Sequence, residues 1–214
     1  VASWLREEGL GGIVEVVLNG VAAPAAMPGR EEARARCGLP AEACAIGLFS
    51  QLVPHKGALD FVRAAHLAAE REPGLWFLIA GRGPRAFVAL LEREIAAGPA
   101  ASRIRLLPPL PEIWPLLAAV DVAAITTLWP DPLPRVVMEA MAVGLPVAGY
   151  GGGGVPEMVV AGETGLLCGP GDLEALAAAF ARLGGDPGLR RRLGAAGAAR
   201  ATEQFGVERH LERM

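Results

Sequence analysis

Short apolar runs alternate along this chain with segments of helical period, and that alternation constrains the fold more than any other feature. The runs fall at 45–49, 75–80, 104–107, 122–125, 146–148 and 166–168. Their residues do not alternate between apolar and polar, as they would in a strand with one wet face. Strands of this kind are buried on both faces, which implies a parallel sheet covered by helices on either side. The intervening segments predict helices at 59–70, 85–97, 112–119, 135–143 and 155–160. The expected fold class is therefore α/β, a Rossmann-like doubly wound parallel sheet of about six strands with helices on both faces.

Around this regular part the pattern changes. Residues 2–8 read as the tail of a helix stopped by Gly9, residues 14–17 as a short strand, and Asn19 as a turn. Residues 22–29 read as linker, and 31–37 as a short helix that Gly38 ends. After Cys168 only helices are expected. Asp172 caps the first, at 173–182, and Pro187 opens the next. With 214 residues, the chain is read as a single domain, with 1–30 as an interdomain segment and 172–214 as terminal helices.

Several function classes are excluded early. A net charge of −3, with no basic runs carrying interleaved aromatics, argues against nucleic acid. The one basic cluster, Arg190 to Arg192, reads as the solvated face of a late helix. Gly, Pro or a charge interrupts every apolar run before it reaches bilayer length. Cys37, Cys44 and Cys168 are odd in number and lack metal-ligand spacing, which fits a reducing, cytoplasmic setting and buried thiols. The chain starts at Val1 without a signal-peptide pattern and reads as a fragment.

The chemistry is expected in the loops after the strands, because open parallel sheets bind ligands outside their carboxyl ends. After 45–49 comes S-Q-L-V-P-H-K-G, ending at a helix start where backbone N–H groups and Lys56 would hold an anion. Lys56 is the single Lys among twenty basic residues, so a compact point charge is retained where Arg is otherwise preferred. After 122–125 comes T-T-L-W-P-D-P-L-P, which enters an apolar helix interrupted by Glu139. A carboxylate among Val136, Val137, Met138, Ala140 and Met141 needs water, a partner or a ligand. Two readings stand: a functional acid, or a side chain that faces solvent or forms an i,i+4 pair with Arg135. Asp131 in the loop is either a second acid or an Asp-Pro turn.

Other motifs carry less. Gly81-Arg-Gly83-Pro-Arg-Ala86 matches the dinucleotide pattern G-x-G-x-x-A, but the ribose-binding acid expected after the next strand is missing. It reads as a tight strand-to-helix turn near a base. His66 reads as a packed or surface histidine, and His55, flanking Lys56, as either a ligand contact or a solvent-exposed side chain. No D-x-D pair and no Ser/His/Asp or Cys/His set is apparent, so no metal and no cofactor is expected.

Taken together, the N-G-V turn at Asn19, L-V-P-H-K-G, the G-R-G-P turn, D-P-L-P-R-V-V-M-E-A-M-A-V-G-L-P-V-A, and the later G-G-V-P-E-M-V and G-E-T-G-L-L resemble a known family. They resemble the carboxyl-terminal half of the retaining glycosyltransferases of group 1, also called family 4, which have the GT-B fold. The resemblance runs from about Val14 to the end. It implies a Rossmann-like domain that holds a nucleoside-diphosphate sugar as substrate, with an acceptor-binding amino-terminal domain absent here. Lys56 matches the lysine on the diphosphate, Asp131 the first acid of an E-x7-E motif, on the donor sugar, and Glu139 the second acid, on the ribose.

The resemblance is not uniform. The usual Gly-Arg before the lysine is Ser50-Gln51, Asp131 stands for Glu, and Pro132-Leu133-Pro134 replaces a glycine-rich stretch, removing two N–H donors. The implied substrate contacts are Gln51, Gly81, Gly83, Leu133, Pro134, Arg135 and Val136. A non-catalytic nucleotide-binding module, a sugar-nucleotide epimerase of the same fold and an NAD enzyme remain as alternatives. The chain alone is expected to bind donor and transfer nothing. Acceptor, base and sugar are left open, as is peripheral attachment at the cytoplasmic membrane face.

Overall fold

The computed structural model describes Gly9 and residues 19–207. The helix expected at 2–8 and the strand at 14–17 lie outside the described residues. Six parallel strands form one sheet in the order β3-β2-β1-β4-β5-β6. They are β1 (Cys44–Phe49), β2 (Leu75–Ala80), β3 (Ile104–Leu107), β4 (Val122–Ile125), β5 (Val147–Tyr150) and β6 (Gly165–Cys168). The chain winds outward from β1 through β2 to β3, then returns to lay β4 on the other side of β1. Strand order therefore reverses between β1 and β4, where Ile46 pairs with Val122 and Leu48 with Ala124.

Helices precede, connect and follow the strands. They are α1 (Arg30–Cys37), α2 (Ala58–Arg71), α3 (Arg85–Ala97), α4 (Trp114–Ala119), α5 (Arg135–Ala142), α6 (Val155–Met158), α7 (Leu173–Gly185) and α8 (Pro187–Phe205). On one face α2, α3 and α7 cover the sheet around Phe61, Phe77 and Phe180, whose rings meet edge-on or tilted at centroid separations of 5.5 to 6.2 Å. On the other face α1, α4, α5 and α6 pack through Leu116, Val137, Met138 and Met158. The long α8 starts on the first face at Leu189 and Leu193 and ends on the second at Ala201 and Phe205. β4 and β5 are buried throughout, as two-sided cover of an apolar run requires.

Most expected boundaries hold, and the exceptions have physical reasons. β5 begins after Pro146 and runs to Tyr150, because Gly149 and Tyr150 still pair with Leu167 and Cys168. The helix expected at 112–119 starts only at Trp114, with Pro115 in its first turn. The one expected at 155–160 is a single turn ending at Met158. The helix from Leu173 continues to Gly185 and is capped by Asp172, whose Oδ1 accepts from Ala175 N at 2.9 Å. Gly38 ends α1 in the left-handed conformation, φ 64°. Residues 22–29 form no helix or strand, although Val21 N donates to Phe205 O at 2.7 Å, tying that segment to the end of α8.

Two polar groups that stood out little in the sequence organise the opposite end of the sheet. Arg34 is 2% exposed. It donates to the carbonyls of Ala119, Pro40, Ala41 and Ala43, and its Nη2 donates to Asp121 Oδ2 at 2.6 Å. Asp121 also accepts from Ala45 N and from Arg30. Each of these four carbonyls gains a donor, and the buried cation is compensated. Arg190 is likewise engaged, correcting its reading as solvated: it donates to Gly184 O at 2.8 Å and also to Leu183 O, at the end of α7. His66 is a packed residue, with Nδ1 accepting from Ala100 N and Nε2 facing Glu94 O.

Candidate functional site

Three loops interlock at the carboxyl ends of β1 and β4, which flank the reversal of strand order, and of β5 beside them. The first carries Lys56 in a short 3-10 turn (Pro54–Lys56), closed by Gly57 at φ 71°. A Cβ on Gly57 would lie 1.8 Å from Thr126 O, so only glycine admits the second loop at this distance. Thr126 Oγ1 donates to Lys56 O at 3.0 Å, and Leu128 N donates to His55 O at 2.9 Å. The third loop closes from the other side. Gly154 N donates to Asp131 O at 2.9 Å, and Cβ atoms on Gly153 and Gly154 would meet the backbone of Asp131 and Pro132.

This framework brings Lys56 and Asp131 together. Lys56 Nζ donates to Asp131 Oδ2 at 2.7 Å, and each side chain is 22% exposed. The two lie 75 positions apart in sequence. Asp131 Oδ1 accepts from Leu133 N at 3.3 Å, so one backbone N–H that the prolines had left is turned back on the acid. Arg135 and Val136 occupy the first positions of α5, where N–H groups have no intrahelical acceptor. Pro134, buried, precedes them.

Glu139 is 6% exposed, and its Oε1 accepts from Arg135 Nε at 2.9 Å. The i,i+4 pair left open by the sequence is therefore present, with a wet guanidinium, 81% exposed, held against a buried carboxylate. Burial raises the Glu139 pKa above the ordinary carboxyl range, and Arg135 pulls it back down. Both residues line a cleft of about 600 Å³ with Pro24, Pro111, Glu112, Ile113 and Trp114. Pairing with Arg135 does not bury Glu139 away from this opening.

Gln51 is exposed at the end of β1. Gly81 and Gly83 pack against its loop: Cβ atoms there would lie 1.8 Å from Ser50 O and 2.1 Å from Leu52 O. The G-R-G-P turn is thus glycine-rich because a second backbone lies on it. It also borders a cleft of about 350 Å³ with Pro108 and Pro109. Sequence reasoning missed Thr126 and Thr127. Thr127 Oγ1 is the one buried side-chain polar atom without a hydrogen-bond partner among the described residues, and such atoms call for an explanation. Tyr150 was also missed; its hydroxyl donates to Asp60 Oδ2 at 2.9 Å, tying β5 to the first turn of α2.

A larger cleft, about 960 Å³, opens at the other end of the strands around Arg30, Arg34, Asp121 and Arg190. Volume is a poor guide here. The hydrogen bonds of Arg30, Arg34, Asp121 and Arg190 there go to the chain's own loops and helix ends. The narrower end combines a cation, two acids and a helix start at a switch point. Among the described residues, no group of three or more His, Cys, Asp and Glu is placed to hold a metal ion. No helix among them is long and apolar enough to cross a membrane.

Comparison with known proteins gives a consistent result. The family described as glycosyl transferases group 1 matches residues 29–200. A D-inositol 3-phosphate glycosyltransferase of Thermomonospora curvata is 33% identical over 199 residues, covering 87% of this chain and 45% of the relative. The chain thus spans about half the length of the curated relatives it matches. Among solved structures, Anabaena Alr3699/HepE in complex with UDP and glucose is 26% identical with a TM-score of 0.85, over 99% of this chain and 58% of that one. The carboxyl-terminal domain of the group 1 glycosyl transferase LpcC from Francisella tularensis, 20% identical with a TM-score of 0.75, covers 89% of this chain and 97% of that one. That likeness is one of fold.

Proposed function

Because this chain belongs to the group 1 glycosyl transferases, we propose that it is the donor-binding half of an enzyme that transfers a sugar from a nucleoside diphosphate with retention of configuration. The observation that carries the proposal is the Lys56–Asp131 pair at the switch point of the sheet, 2.7 Å between Nζ and Oδ2. A cation from the β1 loop and an acid from the β4 loop meet where a ligand crossing the strand ends would lie. UDP and glucose in HepE support the class of ligand.

The roles follow from chemistry. Glycosyl transfer builds positive charge on the sugar ring and negative charge on the departing diphosphate. Gln51, the N–H groups of Arg135 and Val136 at the start of α5, and Lys56 once recruited from Asp131 meet the second charge. Asp131 accepts from the sugar hydroxyls, and Glu139 from the ribose hydroxyls. Leu133 and Pro134 shape the approach, while Gly81 and Gly83 border the base. The diphosphate charge is met by side-chain and backbone donors, without a metal. The acceptor domain belongs to the remainder of the protein, whose setting is proposed to be cytoplasmic.

A second reading is a nucleotide-binding module without transfer. It is favoured by Leu133 N, which donates to Asp131, and by the prolines that remove two further donors. Calorimetric titration with UDP, GDP and ADP and their sugars, beside Lys56→Ala and Glu139→Ala, tests the donor site. One diphosphate is expected to bind, and each variant to lose at least tenfold, about 1.4 kcal/mol. Folded variants that bind like the wild type refute the site. Transfer by the full-length protein, and none by this chain alone, separates enzyme from module.

A further inference from the structure

Among the described residues the most exposed large apolar side chain is Trp129, at 71%. Leu128 beside it is 42% exposed. Exposure of an indole forgoes the most valuable apolar burial any side chain offers, and it is not the result of a loose loop. Leu128 N is fixed to His55 O one residue before Trp129, and Asp131 O to Gly154 N two residues after it. Pro130 stiffens the link between them. The indole is therefore held out from a framework anchored on both sides.

Two residues beyond it lies Asp131, the acid facing Lys56. A pyranose offers hydroxyls around its rim and C–H groups on its faces, so a site for it needs polar groups at the edge and a flat apolar surface beneath. Aromatic rings with a few placed polar groups provide that combination. Resting on the donor-site reading, we propose that Trp129 is a specificity-determining residue, whose indole stacks on the sugar ring of the donor while Asp131 takes its hydroxyls. The diphosphate and nucleoside are held elsewhere, by the Lys56 turn and α5, and make no use of the indole.

The test compares the sugar's contribution with that of the nucleotide. This chain and its Trp129→Ala and Trp129→Phe variants are titrated with UDP and UDP-glucose, GDP and GDP-mannose, and ADP and ADP-glucose. The alanine variant is expected to bind the preferred diphosphate as the wild type does and its sugar nucleotide about tenfold more weakly. The phenylalanine variant recovers most of the loss. In the wild type the sugar nucleotide shifts tryptophan emission more than the diphosphate does, and in Trp129→Phe that difference disappears. Equal loss of both ligands, or of neither, overturns the proposal while leaving the donor site standing. Binding of no pair by the wild type refutes the donor site itself, and this proposal with it.

Discussion

The substitution Asp131→Asn is expected to tighten binding of the bare nucleoside diphosphate. Lys56 Nζ lies 2.7 Å from Asp131 Oδ2, with both side chains 22% exposed. At an effective dielectric of about 20 their attraction is about 6 kcal/mol, most of it offset by desolvation. The net worth lies between an exposed pair, about 0–1 kcal/mol, and the roughly 3–5 kcal/mol lost when a buried pair is broken. About 1–2 kcal/mol is a fair value, and a diphosphate that recruits Lys56 must overcome it. The amide introduced by Asp131→Asn would keep the acceptor for Leu133 N and the loop's shape while removing both the competing partner and a negative charge beside the phosphates. Isothermal titration with the preferred diphosphate should show about a tenfold gain in affinity, largest at low salt. The sugar nucleotide should gain less, since on the proposed donor site the variant would lose charge-assisted bonds to the sugar hydroxyls. Unchanged or weaker diphosphate binding by a folded variant would show that Lys56 does not leave Asp131 for the phosphates.

Arg135→Ala should push the Glu139 pKa further up, because burial already raises it and Arg135 opposes that rise. A raised folded-state pKa means the native protein binds the extra proton. The variant's stability should match the wild type below the unfolded carboxyl pKa and fall behind by about 1–2 kcal/mol as pH rises to about 7. Urea melts at about pH 3 and about pH 7, on either side of the usual carboxyl range, check this, and a deficit equal at both sinks it. Gly57→Ala combines a left-handed φ of 71° with a Cβ 1.8 Å from Thr126 O, and should cost about 3 kcal/mol or more; an unchanged melting temperature would refute the interlock. Thr127→Val removes a buried hydroxyl with no partner and should stabilise the ligand-free chain by about 1 kcal/mol. A loss of stability would mean the hydroxyl has a structural partner.

The parts of this protein legible in its sequence are those set by local pattern. The runs at 75–80, 104–107 and 122–125 matched their strands, because unbroken apolar residues between turn signals have only a doubly covered strand to occupy. Asp172 and Gly38 marked helix ends by side-chain chemistry and by φ. The family motifs named Lys56, Asp131 and Glu139 as residues worth finding, and the i,i+4 spacing offered Arg135 as a partner for Glu139. What sequence left open was who meets whom across the sheet. Lys56 and Asp131 are neighbours only because β4 returns beside β1, an arrangement that apolar periodicity does not encode. The same return joins Arg34 to Asp121 and sets Thr126 against Gly57. Periodicity records how each segment is covered, whereas strand order follows from the joint packing of all the helices. The cation and the acid were therefore readable as residues, and their contact only from the tertiary structure.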